Sequence, residues 1–152
     1  LAISTKEGYE MVLRGKGMGL LLAGLLSLFL FPMAFAQEIQ WIRQFGTENW
    51  DSADGVSVDM AGNVYVVGWT EGTLPGQEKA GWRDAFVRKY DSNGNEIWTR
   101  QFGTKGWDYA YSVSVDVEGN VYVVGWTRGA LPGQKKVGGY DAFVVKFGPG
   151  PR

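Results

Sequence analysis

The sequence predicts an all-β chain: two four-stranded antiparallel blades, together an incomplete β-propeller, preceded by a signal-peptide helix. Three observations carry this. A 57-residue unit is written twice, short Val-, Tyr-, Trp- and Phe-rich runs alternate with turn residues, and the one long apolar stretch lies near the amino terminus.

That apolar stretch comes first. From Met11 the chain reads MVLRGKG, then MGLLLAGLLSLFLF, then PMAFA before Gln37. A basic region, an apolar region and an A-x-A site in this order are the grammar of a secretory signal peptide, with cleavage expected between Ala36 and Gln37. Arg14 and Lys16 supply the positive end, Pro32 breaks the apolar helix, and small Ala34 and Ala36 fit a signal peptidase. The competing reading is a retained anchor, since Met18 to Ala36 could just span a bilayer. Residues 1–10, LAISTKEGYE, are polar and aperiodic and are read as an over-extended leader ahead of Met11. The expected organisation is a leader over 1–10, a signal peptide over 11–36 and two repeats over 37–152, divided at about 41–97 and 98–152.

The repeat keeps its register throughout. Trp41 recurs as Trp98, Gln44-Phe45-Gly46-Thr47 as Gln101-Phe102-Gly103-Thr104, and Trp50-Asp51 as Trp107-Asp108. Val56-Ser57-Val58-Asp59 recurs as Val113-Ser114-Val115-Asp116, and Asp84-Ala85-Phe86-Val87 as Asp141-Ala142-Phe143-Val144. Self-similarity at such a period marks a unit that cannot bury its apolar faces alone and must stack on its neighbour.

Each unit contains four strand signals: Gly55 to Asp59, Asn63 to Thr70, Asp84 to Tyr90 and Glu96 to Phe102. The second is apolar on both faces, with Tyr65, Val67 and Trp69 opposite Val64 and Val66, so it is expected to be covered on both sides. The first combines Val56 and Val58 with small Gly55 and Ser57, which suits a crowded inner position, and the fourth is the most polar. Four-stranded sheets stacked face to face about an axis form a propeller. The inventory is uneven, however. The exported part opens with a spare fourth strand, Ile39 to Phe45, and no copy of it follows the last third strand, so the final blade lacks the strand that the amino end has in excess. Closed propellers hold about four to eight blades. The expectation is therefore a head-to-tail oligomer or an aggregation-prone chain rather than a stable monomer.

Composition excludes several function classes. Fifteen basic and sixteen acidic residues give a net charge of −1 without charge runs, which argues against nucleic acid or anionic lipid as a partner. There is no His and no Cys, so the usual general base, thiol nucleophiles and zinc-thiolate or iron–sulfur sites are excluded. No metal and no cofactor are expected. The run Asp91-Ser92-Asn93-Gly94-Asn95-Glu96 imitates a calcium loop, but its glycine is in the wrong place, and a hairpin turn accounts for Asn93-Gly94.

The string WxRQFGT…DxAxxVSVDxxGNVYVVGWTxGxLPGQ…DAFVxK, spanning Trp41 to Lys146, resembles the SBBP repeat, a short β-propeller repeat of exported and surface proteins in bacteria and archaea. The resemblance implies a propeller and an extracytoplasmic setting. It carries no shared catalytic residues.

Antiparallel order puts the DMAGN, DVEGN and DSNGNE turns at one rim and the long loops at the other, which makes the long-loop rim the candidate binding face. Its candidate residues are Trp50, Asp51, Trp82, Trp107 and Asp108, because an indole beside a carboxylate can stack a sugar ring while accepting its hydroxyl protons. The scaffold alternative makes Trp50 and Trp107 wedges between blades and has the two Asp bind loop amides, and repetition in both units favours it. Trp82 stands apart, being Gly139 in the second unit, and Trp69 and Trp126 are expected to pack. The preferred function is a non-catalytic, exported binding or structural scaffold whose partner is a protein, a surface polysaccharide, further blades or another copy. The alternatives are a lectin-like propeller and a carboxylate-dependent glycan hydrolase or lyase, which would need two acids with separated pKa values.

Overall fold

A computed structural model describes residues 37–149; the signal-peptide and anchor expectations, and the Ala36 side of the cleavage site, lie outside them. Seven strands follow in order: β1 (Asp51–Val58), β2 (Val64–Thr70), β3 (Asp84–Tyr90), β4 (Glu96–Phe102), β5 (Asp108–Val115), β6 (Val121–Thr127) and β7 (Asp141–Phe147). They form two antiparallel sheets in sequence order, β1-β2-β3-β4 and β5-β6-β7. The expectation of two four-stranded blades is thus corrected to four and three, since among the described residues no strand pairs with the outer edge of β7. Ile39 to Phe45, the spare strand, joins neither sheet.

Three side-chain staples of one design set the short turns. Asp59 accepts from the Ala61 and Asn63 amides, the Asn63 side chain and the Tyr65 hydroxyl. Asp116 does the same for Glu118, Asn120 and Tyr122, and Asp91 for Asn93 and Asn95. Gly62, Gly94 and Gly119 take the positive φ that each turn demands. In the longer loop Gln77 N–H donates to the Leu74 carbonyl across Pro75-Gly76, and Gly76 has φ 71°, the geometry of a type II turn.

The strands begin earlier than the sequence predicts: β1 and β5 start at Asp51 and Asp108, with an irregularity between Ala53 and Gly55 and between Ala110 and Ser112. A bulge lets the strand bend while keeping Val113 on the core side. The core lies between the sheets, where Tyr65, Val67, Ala85 and Val87 of the first meet Ala110, Val113, Val121 and Val123 of the second. Inner strands approach most closely. A methyl group at Gly55 would lie 2.6 Å from the Tyr111 carbonyl oxygen, so only glycine lets β1 and β5 converge. Trp98 and Phe102 of β4 reach across to Phe143 and Phe147.

The expectation that β2-type strands are covered on both sides holds fully on the shared interface and in part on the other face, where Val64 and Val66 of β2 are half-buried. On the far face of the first sheet Val56 and Val58 are 66% and 60% exposed, and on the far face of the second Val124 and Val144 are 43% and 70% exposed.

Candidate binding site on the long-loop rim

The loops from β2 to β3 and from β4 to β5 share one rim with the β6–β7 loop, and backbone bonds stitch them together. The amides of Trp82 and Arg83 donate to the Gly106 carbonyl, and Asp108 N–H donates to the Arg83 carbonyl. This sets Arg83 at the centre of an aromatic array. Its guanidinium lies 4.4 Å from the Trp69 ring centre, 5.1 Å from Trp107 and 5.5 Å from Tyr109. It also donates to the Tyr109 hydroxyl and pairs with Glu71 at 2.7 Å. The Tyr109 bond and the Glu71 carboxylate raise the Arg83 pKa, so the cation is fixed. Arg128 continues the series, 5.0 Å from Trp107 and 5.3 Å from Tyr140. Trp126 stacks on Tyr109 at 4.3 Å, meets Tyr140 edge-on at 4.8 Å, and donates its indole N–H to the Tyr111 hydroxyl.

The predicted residues divide accordingly. Asp51 accepts from the Thr47 amide and hydroxyl, and Asp108 from those of Thr104, so both carboxylates close their loops. Asp108 is fully buried, and burial pushes its pKa up against the Thr127 and Thr104 hydrogen bonds, with Asp84 adding like-charge repulsion. Asp84 is itself buried and accepts from the Ala80 and Gly81 amides and the Gln101 side chain. Trp107 is half-buried between two guanidinium groups, which makes it a wedge. Trp50 is 74% exposed, unlike its counterpart, which lies between Arg83 and Arg128. Trp82 is also 74% exposed. The packing expected of Trp69 and Trp126 is observed, but within this array rather than in the apolar core.

Sequence reasoning missed Arg83, Tyr109, Tyr111, Arg128 and Tyr140. The signal that finds them is divergence between the units: their counterparts are Tyr140, Ser52, Asp54, Glu71 and Arg83. Among the described residues no cluster of His, Cys, Asp or Glu could hold a metal ion, and no helix is long and apolar enough to cross a membrane.

Comparison with known proteins bears on the repeat. FlaEY, a regulatory protein of Caulobacter vibrioides, is 33% identical over 110 residues, covering 64% of this chain and 12% of the relative, so the chain spans a small part of that protein. Residues 40–74 and 97–131 each match SBBP, a beta-propeller repeat. Two matches in the register of the internal repeat, each carrying the first two strands of one sheet, show that the chain carries two SBBP beta-propeller repeats.

Proposed function

We propose that the chain is an exported, non-catalytic propeller module that binds a protein or a surface polysaccharide through its long-loop rim. The observation that carries this reading is the rim itself: it combines fixed cations and open aromatic rings on rigid strands, while its carboxylates are taken up by its own loops. Aromatic anchors beside Arg are the groups that supply most binding energy at interfaces. Similarity to a regulatory protein supports a role exercised through contacts. Export rests on the basic, apolar and A-x-A sequence ending at Ala36.

The lectin-like variant is favoured by one feature, the exposure of Trp82 and Tyr140 at 74% and 59%, since open rings stack sugars. A glycan array separates the two. Polysaccharide binding predicts signals that Trp82→Ala abolishes without loss of fold, and a silent array assigns the rim to a protein partner. A glycan hydrolase or lyase has less support, because Asp84 and Asp108 are closed off from solvent. Release of reducing ends from an array-positive glycan would overturn the non-catalytic reading. Expressed from Met11 in a bacterial host, the exported product should begin at Gln37; intact Met11 in the membrane fraction would establish an anchor instead.

A further inference from the structure

The seat of β4 shows what the second sheet is built to receive. Gln101 is its anchor: its side-chain carbonyl accepts from Leu74 N–H at 2.9 Å, and its amide group donates to the Gly72 carbonyl and to Asp84. Its backbone N–H donates to the Gln77 side chain at 3.0 Å. The counterparts in the second sheet are Leu131, Gly129, Asp141 and Gln134. The loop is already shaped, since Gln134 N–H closes the same turn onto Leu131 and Asp141 accepts from Val137 and Gly138 as Asp84 does from Ala80 and Gly81. Beside the unpaired edge of β7 lies a groove of about 1090 Å³, bounded by Phe102, Leu131, Gln134, Asp141, Phe143 and Val145.

The chain also carries a matching segment. Gln44 is the counterpart of Gln101, and it is exposed. Residues 39–45 lie on the first sheet as β4 lies on the second: Phe45 meets Phe86 edge-on at 5.5 Å and Trp41 sits 6.0 Å from Tyr90, repeating the Phe102–Phe143 and Trp98–Phe147 pairs. Phe86 points away from the interface that holds Val87, so this segment is on the side of the first sheet remote from β7 and cannot fill the groove of its own chain.

Polarity identifies the occupant. In the first sheet Arg88 opposes Thr99, donates to its hydroxyl at 2.7 Å and pairs with Glu96. At β7 the position of Arg88 is Val145, and in the amino-terminal segment the positions of Thr99 and Glu96 are Ile42 and Ile39, which are 68% and 76% exposed. All three polar members change to apolar ones together, one on the acceptor edge and two on the donor. An interior strand like β4, with Thr and Glu there, would leave them without the Arg that partners them.

We propose that Ile39–Phe45 of a second copy pairs antiparallel with β7, Ile42 opposite Val145 and Gln44 opposite Phe143, and seats its Gln44 side chain on Leu131, Gly129 and Asp141. The same junction lays the exposed Val124 and Val144 face against the Val56 and Val58 face of the partner copy, as the two sheets meet within one chain. The contact is head-to-tail and closes as a ring of about two to four copies, the number that gives four to eight blades.

The inference rests on the scaffold reading of the chain but on no rim ligand, so its test leaves the rim proposal untouched. Light scattering on the purified, exported chain should give a mass of about two to four protomers. Val145→Arg should reduce this to one protomer with the β-sheet circular dichroism retained, and adding Ile39→Glu with Ile42→Thr to that variant should restore the oligomer by rebuilding the polar trio. On the unmutated chain, where folding of a variant is not in question, an excess of a peptide of residues 37–47 should dissociate the oligomer, and the peptide with Gln44→Ala should need at least about tenfold more. A monomeric chain, or an oligomer indifferent both to the peptide and to Val145→Arg, would overturn the proposal.

Discussion

Asp116 shows how much of this fold hangs on single side chains. Hydrogen bonds from the Asn120 side chain and amide, with the Tyr122 hydroxyl, hold its pKa down to about 2. Asp59 is also lowered, where bonds from Asn63 and Tyr65 outweigh the opposing effect of burial, and Asp91 is lowered by Asn95. An acid whose folded-state pKa is depressed adds stability that is complete above its unfolded value of about 3.9 and disappears as pH falls through the folded value. Thermal midpoints should therefore drop between about pH 4 and pH 2, and Asp116→Asn should flatten that slope in a pH series of melting curves. A second residue-scale prediction concerns the indoles. Trp107→Ala removes two cation–π contacts and a half-buried ring, so it should cost about 2 kcal/mol in denaturant titrations, whereas Trp82→Ala, at an exposed loop position, should stay within about 0.5 kcal/mol. The sequence could not separate these two roles, because Trp107 becomes a wedge only through Arg83 and Arg128, which come from other loops.

At the scale of the element, the strands were legible because each is short, β-branched or aromatic, and bounded by turn residues; β3 and β4 have the ends expected of them. The early start of β1 and β5 was not, since DSAD and DYAY carry no strand pattern and pair only because the bulge realigns them with β2 and β6. The inner place of β1 was readable from Gly55 and Ser57, and the 2.6 Å gap at Gly55 explains why. Gly55→Ala should force β1 and β5 apart and cost about 1–3 kcal/mol, the range for overpacking, read by calorimetry. Gln101→Ala tests how β4 is held. It removes three side-chain hydrogen bonds, to Leu74, Gly72 and Asp84, and leaves the backbone N–H bond to the Gln77 side chain. A loss of about 2–4 kcal/mol should follow, with faster amide exchange at Leu74 and Gln77.

For the whole molecule, the repeat announced a stack of like sheets. What the sequence did not reveal is how specific the vacancy is: the groove, its four anchoring groups and the change of a polar trio to Val145, Ile42 and Ile39 become visible only once β4 is seen in its own seat. The most direct measurement uses the absence of cysteine from the chain. Opposed residues of adjacent antiparallel strands have Cα atoms about 4.5–5.5 Å apart, inside the window for a disulfide. With Ile42→Cys and Val145→Cys in one chain, mild oxidation should give covalently linked multimers on non-reducing gels, and either substitution alone should give no ladder. A doubly substituted, folded chain that stays a single-chain species after oxidation would contradict the account.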